Sequence, residues 1–297
     1  MHKKAGISGL APIGEELIRM LDAMKHRGID STGITVAGES PDSDFIVRVW
    51  SDPEGDYRDR FRAVEEVVAS NGGVVKARQS TDEFLRLSIN HEGDFKPLAA
   101  SLYELPGVTI HSIGQNSEVV KDVGTGLELD DKHDISGMQG THGIGHVRLA
   151  TESRVDITHS HPFWAYPFPD VTVVHNGQLT NYHKMKREYE DHGHRFQTEN
   201  DSELIAVYLA EKLARGAALE DALYDSLDDL DGSFTYLVST DQGMGSAKDP
   251  LALKPLVLME TDDVVALASE EVALRSVFDE EIERVEPQQN EVMTWLI

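Results

Sequence analysis

Between residues 181 and 268 the sequence reads as two helices and then four strands in immediate succession. The helical stretches are Asn181 to His192 and Asp201 to Arg215, the second with Leu204, Ile205, Tyr208 and Leu209 on one face. The strands are Ser233 to Ser239, Gly243 to Lys248, Lys254 to Met259 and Val264 to Ala268. Strands with no helix between them join as antiparallel hairpins, because a parallel pair needs a long crossover. Runs of strands separated by helix pairs therefore predict stacked antiparallel sheets with helices outside, not alternating βαβ units.

The remainder fits that pattern. Leu17, Met20, Leu21 and Met24 recur at helical spacing within 14–25, and the polar run 26–33 predicts a loop. Strands are expected at 33–37, 45–49, 73–76, 108–113, 143–150 and 171–175, with a helix over 59–70. A further helix is expected from Glu270 and a last strand near Val292, while 124–134 is acidic and reads as a loop. The region 51–140 looks like an elaboration of one domain, since no Pro/Ser/Gly linker brackets it. At the start, Ala5-Gly6-Ile7-Ser8-Gly9 reads as a first strand behind a short polar leader, residues 1–4.

At 297 residues, with 40% hydrophobic and 27% charged residues, the chain can bury a full core. No apolar run approaches the roughly 20 residues of a membrane helix, and no secretory signal is legible, so a cytoplasmic protein is expected. A net charge of −26 argues against a nucleic-acid partner, whose phosphates would be repelled. Cysteine is absent, which excludes disulfides and thiolate metal sites.

Four stretches carry the functional signal: H-R-G-I-D-S-T-G (26–33), G-H-V-R-L-A-T (145–151), V-V-H-N-G-Q-L-T-N-Y (173–182) and E-N-D-S-E (199–203). S-H-P-F (160–163), A-K-D-P-L-A-L-K-P-L (247–256) and A-S-E (268–270) are weaker echoes. Together, in this order, they resemble the class II glutamine amidotransferases, whose glutaminase domain is an N-terminal-nucleophile hydrolase. The nearest likeness is to the amidotransferase subunit of N-methylglutamate synthase and glutamate-synthase-like proteins. The resemblance implies an α+β, four-layer αββα sandwich of two antiparallel sheets over residues 5–297. It also implies hydrolysis of glutamine to glutamate and ammonia without metal or cofactor. The ammonia would pass to a separate synthase subunit in a hetero-oligomer.

Hydrolysing a carboxamide takes a nucleophile, a base, an oxyanion hole and a grip on the amino-acid head group. Arg148 suits the α-carboxylate, because a guanidinium can hold it bidentately; a structural salt bridge is the plainer alternative. Asp201 could take the ammonium, or cap a helix, or both. Asn176-Gly177 offers a side-chain amide and a backbone N–H for an oxyanion hole, or else a plain Asn-Gly turn. By resemblance Thr151 lines the pocket and Arg27 packs over the nucleophile, with a loop-to-core ion pair as the alternative. His159, His161 and His175 with Asp201 could in principle ligate a metal. The spacing is not diagnostic, and His161 and His175 read better as hydrogen-bonded core residues, with His175 beside the substrate.

The nucleophile is missing. Where the family reads Cys-Gly-Ile-x-Gly this chain reads Ala5-Gly6-Ile7-Ser8-Gly9, and the α-amine that should act as base lies on Met1. Two readings stand open: an active glutaminase inactivated by alanine at position 5, with its leader retained, or a noncatalytic glutamine-binding or scaffolding subunit.

Overall fold

The computed structural model describes residues 1–4, 9–38, 43–149, 156–278 and 283–297. In chain order the first elements are β1 (His2–Lys3), α1 (Ile13–Ala23) and β2 (Ser31–Ala37). Then come β3 (Phe45–Ser51), α2 (Tyr57–Ser70), β4 (Val74–Thr81), β5 (Phe84–Asn90), α3 (Lys96–Tyr103) and β6 (Val108–Gly114). β7 (Ser117–Val123), α4 (Gly126–His133), β8 (His142–Arg148), β9 (Phe163–Trp164) and β10 (Thr172–Leu179) lead into the helices α5 (Tyr182–Asp191), α6 (Asp201–Ala214) and α7 (Leu219–Asp229). β11 (Gly232–Thr240), β12 (Gly243–Lys248), β13 (Val257–Glu260), β14 (Val264–Ala268), α8 (Glu271–Arg275), β15 (Arg284–Val285) and β16 (Val292–Leu296) complete the chain.

Among the described residues the strands form three sheets. Two of them, ordered β15-β13-β14-β1-β8-β2-β7 and β16-β12-β11-β10-β9, stack face to face. Ile144, Val174, Met244, Leu258, Val265 and Leu267 fill the space between. On the outer side of the first sheet, Leu17, Met20 and Leu21 of α1 pack on Ile34, Val147 and Met259. On the outer side of the second, α6 is buried along Ser202 to Ala210 and packs on Phe234, Tyr236 and Val238. A helix that is apolar nearly all round must be enclosed, and α7 covers it. The result is the four-layer αββα sandwich of N-terminal-nucleophile hydrolases, as expected.

The third sheet, ordered β4-β5-β3-β6, falls within the region read as an elaboration and has its own core. Val47, Leu85, Leu87 and Ile89 pack there against Phe61 and Val64 of α2 and Leu98 of α3. β6 and β7 join this sheet to the edge of the first one. Glu118 on β7 bridges Arg48 and Arg86, which face each other across β3 and β5. Burial would push the Glu118 carboxyl up, but the two guanidinium groups outweigh it and hold it down at about 2.

Several expectations need correction. Residues 124–134 are not a loop: Thr125 and Glu128 form a reciprocal capping box that starts α4. β5, β7 and α7 were not anticipated. Residues 1–4 do not sit apart from the fold as a leader. His2 and Lys3 pair with β14 on one side and His2 pairs with β8 on the other, with His2 fully buried. Removing them would unpair the middle of a sheet. The expected strand at Ala5–Gly9 falls mainly on residues outside those described.

Candidate active site

β8 and β10 present most of the site at one end of the stacked sheets. β8 ends on Arg148, which pairs with Ser31, while Asp30 N donates to Arg148 O at 3.1 Å. The loop before β2 lies directly on this strand end. A Cβ on Gly28 would come within 2.3 Å of the Arg148 carbonyl carbon, so only glycine permits the approach. Neighbouring Arg27 donates to Glu270 at 2.7 Å, and His26 meets the other oxygen of that carboxylate at 2.8 Å. Arg27 therefore makes the loop-to-core ion pair, and it also lines a cavity.

Asn176 and Gly177 do not form a turn. Both lie inside β10, paired with Thr235 and Phe234 of β11. Phe234 exchanges its N–H and C=O with Asp249, on the side away from β10. Gly177, directly opposite, therefore points its own N–H and C=O to the far edge of β10. Residues of the same parity confirm the direction: His175 N donates to His161 Nδ1 at 3.3 Å and Leu179 N to Asp201 Oδ2 at 2.9 Å. The Gly177 N–H faces the same edge, between those two. Its φ of +136° and a hypothetical Cβ 2.0 Å from Ser233 O make glycine the residue this position accepts.

The Asn176 side chain is fixed at both ends. His146 Nε2 meets its Oδ1 at 3.1 Å, and its Nδ2 donates to Ser269 Oγ at 3.2 Å. His146 is in turn stacked on His161, with ring centroids 4.4 Å apart. Burial draws the His146 pKa down to about 4, against the raising effect of the Asn176 hydrogen bond. Burial likewise holds His161 well below its usual range. Both rings are neutral near pH 7, so His146 can donate from one nitrogen. That fixes the Asn176 amide with its NH₂ group turned towards Ser269.

Two cavities meet here. One is a slot bordered by Met1, Arg27, His146, Asn176, Ala268 and Ser269. The other is a more open pocket bordered by Arg148, Gly177, Gln178, Tyr182 and Asp201. His175 borders both, and its buried Nε2 has no hydrogen-bond partner among the described residues. Its Nδ1 lies 3.0 Å from Ser202 Oγ and 3.5 Å from Asp201 Oδ1. Asp201 is not the cap of α6; that is Asn200, whose side chain accepts from Ser202 N. Burial would raise the Asp201 carboxyl, but His175 and the N–H groups of Leu179 and Ser202 outweigh it. It stays an anion beside the pocket.

Arg148, His175, Gly177 and Asp201 are thus brought together on one pocket, with Asn176 and Arg27 on the adjoining slot. Ala5 and Thr151 lie outside the described residues. The metal alternative is not supported by geometry: His159 pairs with Asp156 at 2.7 Å, and no described group of three His, Cys, Asp or Glu side chains could hold a metal ion. Sequence reasoning quoted His146 and Ser269 within motifs but gave neither a role. Their positions on β8 and just past β14 become informative only once both strands are seen to converge on Asn176.

The four-layer sandwich is a fold shared with solved structures. Over 95% of this chain, and with 22% identity and a TM-score of 0.57, the fold matches a structure titled as the allosteric regulatory enzyme of purine biosynthesis. It also matches the glutamine phosphoribosylpyrophosphate amidotransferase of B. subtilis over 99% of this chain, at 21% identity and a TM-score of 0.60. The chain spans 43% and 45% of those two proteins' lengths. The sequence profile described as a glutamine amidotransferase domain matches residues 146–276. A Methanothermobacter thermautotrophicus protein named as a glutamine amidotransferase is 40% identical over 94% of this chain and 93% of its own. The glutamine amidotransferase-like protein GlxB of Rhizobium meliloti is 38% identical over 95% of this chain and 92% of its own. The chain belongs to the glutamine amidotransferase family.

Proposed function

We propose that this chain is the glutamine-binding, glutaminase-type subunit of a two-component amidotransferase. The observation that carries this is the shared edge of β10. Gly177 borders one pocket there with Arg148 and Asp201, and the fixed Asn176 amide borders the adjoining slot. In this reading Arg148 holds the α-carboxylate and Asp201 the α-ammonium. Asn176 Nδ2 and Gly177 N–H donate to the carboxamide oxygen as it gains negative charge. Arg27 covers the reacting end from its ion pair with Glu270, His175 orients Asp201, and Thr151 completes the pocket wall.

The 297 residues hold no thiol, and alanine stands at position 5, where the family resemblance expects the cysteine. The chain in this form binds glutamine and does not hydrolyse it. With a nucleophile in place, the thiol attacks the carboxamide carbon and ammonia leaves after taking up a proton. Water then cleaves the glutamyl thioester to glutamate. The ammonia goes to a synthase subunit of the N-methylglutamate-synthase kind in a hetero-oligomer. The absence of cysteine also favours a second reading, a noncatalytic glutamine-binding or scaffolding subunit.

Calorimetry with glutamine tests the binding reading. Heat from a stoichiometric site, lost in a folded Arg148→Ala variant, is the expected result; no binding at millimolar glutamine would overturn it. Purification from the source under gentle conditions should recover a larger synthase subunit, and recovery of this chain alone would count against the two-component reading.

A further inference from the structure

The middle strand of the first sheet is only partly filled. Met1 N donates to Gly143 O at 2.7 Å, and Gly143 N donates to Met1 O at 2.8 Å. This double exchange is the closed pair of an antiparallel ladder, made here by an α-amine where a peptide N–H would ordinarily sit. The amine is wholly buried, and desolvation draws its pKa from 8.0 down to about 5. Ahead of Met1, β8 continues from Ile144 to Arg148 and β14 continues to Ala268, each paired among the described residues on its outer side only. Strand alternation turns the N–H and C=O groups of Gly145 and Val147 into the gap between them. Backbone groups inside a sheet need partners, and a slot bounded by two strands supplies them to an extended chain. The slot leads from Met1 to His146, Asn176 and Ser269.

The other end of β1 runs the opposite way. Lys4 N donates to Asp263 O at 2.9 Å, and Lys4 Nζ pairs with Glu260 at 2.7 Å. The chain therefore leaves Lys4 at the end of β14 remote from Ser269.

We infer that the slot is the seat of an extended segment of about five residues that precedes Met1 in the natural polypeptide. Its first residue then lies beside Asn176 and supplies the nucleophile and the free α-amine. Met1 becomes an interior residue of a full-length central strand. This rests on the glutaminase reading for the identity of the first residue, but not for the occupancy of the slot. The first bond to form is between that residue's thiolate sulfur and the carboxamide carbon of glutamine. The thiol proton passes to the free amine and from there to the departing ammonia.

Two measurements test the inference. The intact mass of the protein isolated from its source should exceed 32.9 kDa by several residues. A mass equal to that of the 297-residue chain would overturn it. In parallel, the segment Cys-Gly-Ile-Ser-Gly, released from a cleavable tag so that cysteine is first, is joined to Met1. The expected result is a Tm raised by about 4 °C or more and glutamine turnover on the order of 1 s⁻¹ or more. The same segment led by alanine should give the same Tm rise and no turnover. A Tm rise in both with turnover in neither supports the seat and counts against the glutaminase reading. No change in Tm in either, or turnover gained instead by Ala5→Cys alone, overturns the inference.

Discussion

The stacked sheets that carry the site and the inserted β4-β5-β3-β6 sheet solve the problem of a core in opposite ways. The inserted sheet closes over an apolar interior led by Leu85, Leu87, Ile89 and Leu98, with the Arg48–Glu118–Arg86 cluster at the join to β7. The stacked sheets instead bury polar side chains throughout: His142 against Ser239, His146 against Asn176, His175 against Ser202. Each buried polar group must be hydrogen-bonded or it destabilises the fold, so such a network leaves few alternative arrangements. The comparison teaches that the geometry of the site is set by polar satisfaction, whereas the insertion is set by packing. The two can therefore be perturbed separately.

The largest expected effect breaks the join between them. Glu118→Ala leaves Arg48 and Arg86 facing each other partly buried without their carboxylate, at a cost of about 3–5 kcal/mol in a urea unfolding series. Glutamine affinity should be unchanged in the folded fraction; a parallel loss of binding would mean that the regions are coupled. Arg148→Ala should do the reverse, losing about 2–5 kcal/mol of glutamine binding by calorimetry. Thermal stability should move far less than with Glu118→Ala.

Acid sharpens the contrast by a different route. Burial lowers the pKa of His2 and His146 to about 4 and of His142 to about 3, and holds His161 well down. His111 is the corresponding group on the inserted sheet. A histidine whose folded pKa is depressed contributes stability above its unfolded value near 6.5, and that contribution is lost as pH falls towards the folded value. Between pH 6.5 and 4 the stacked sheets should lose stability on the order of 1 kcal/mol per pH unit for each such histidine. Glu118 adds its own loss only below about 4.5, as pH falls towards 2. Amide exchange protection should therefore fail first in β8 and β10. Earlier failure in β5 would reverse the assignment. The smallest effect belongs to β4, which is exposed along its whole length: Val74→Thr should change stability by no more than about 0.5 kcal/mol.

Most of the double sheet was legible because its strands alternate and its helices carry apolar stripes. Those patterns report burial against one neighbour, and α1, α6 and β10 to β14 follow them within a few residues. α4 was missed because its acidic composition outweighed a capping box that the sequence does contain, Thr125-Gly-Leu-Glu128 being hidden among loop formers. β7 was missed because its polar residues are buried under the insertion, a contact between segments far apart in sequence.

The sequence by itself determined which side chains could grip an amino acid, since Arg148, Asn176, Gly177 and Asp201 each bring a fixed chemistry. Only the tertiary structure decided where those chemistries point. Whether the Gly177 N–H faces β11 or the pocket depends on pairing parity with Phe234. Whether Asn176 presents its oxygen or its NH₂ group depends on a neutral His146 thirty residues away. Whether residues 1–4 are a leader or a strand depends on two strands, β8 and β14, that meet on either side of His2. Pairing between distant strands is a property of the folded backbone, and local residue pattern carries no record of it.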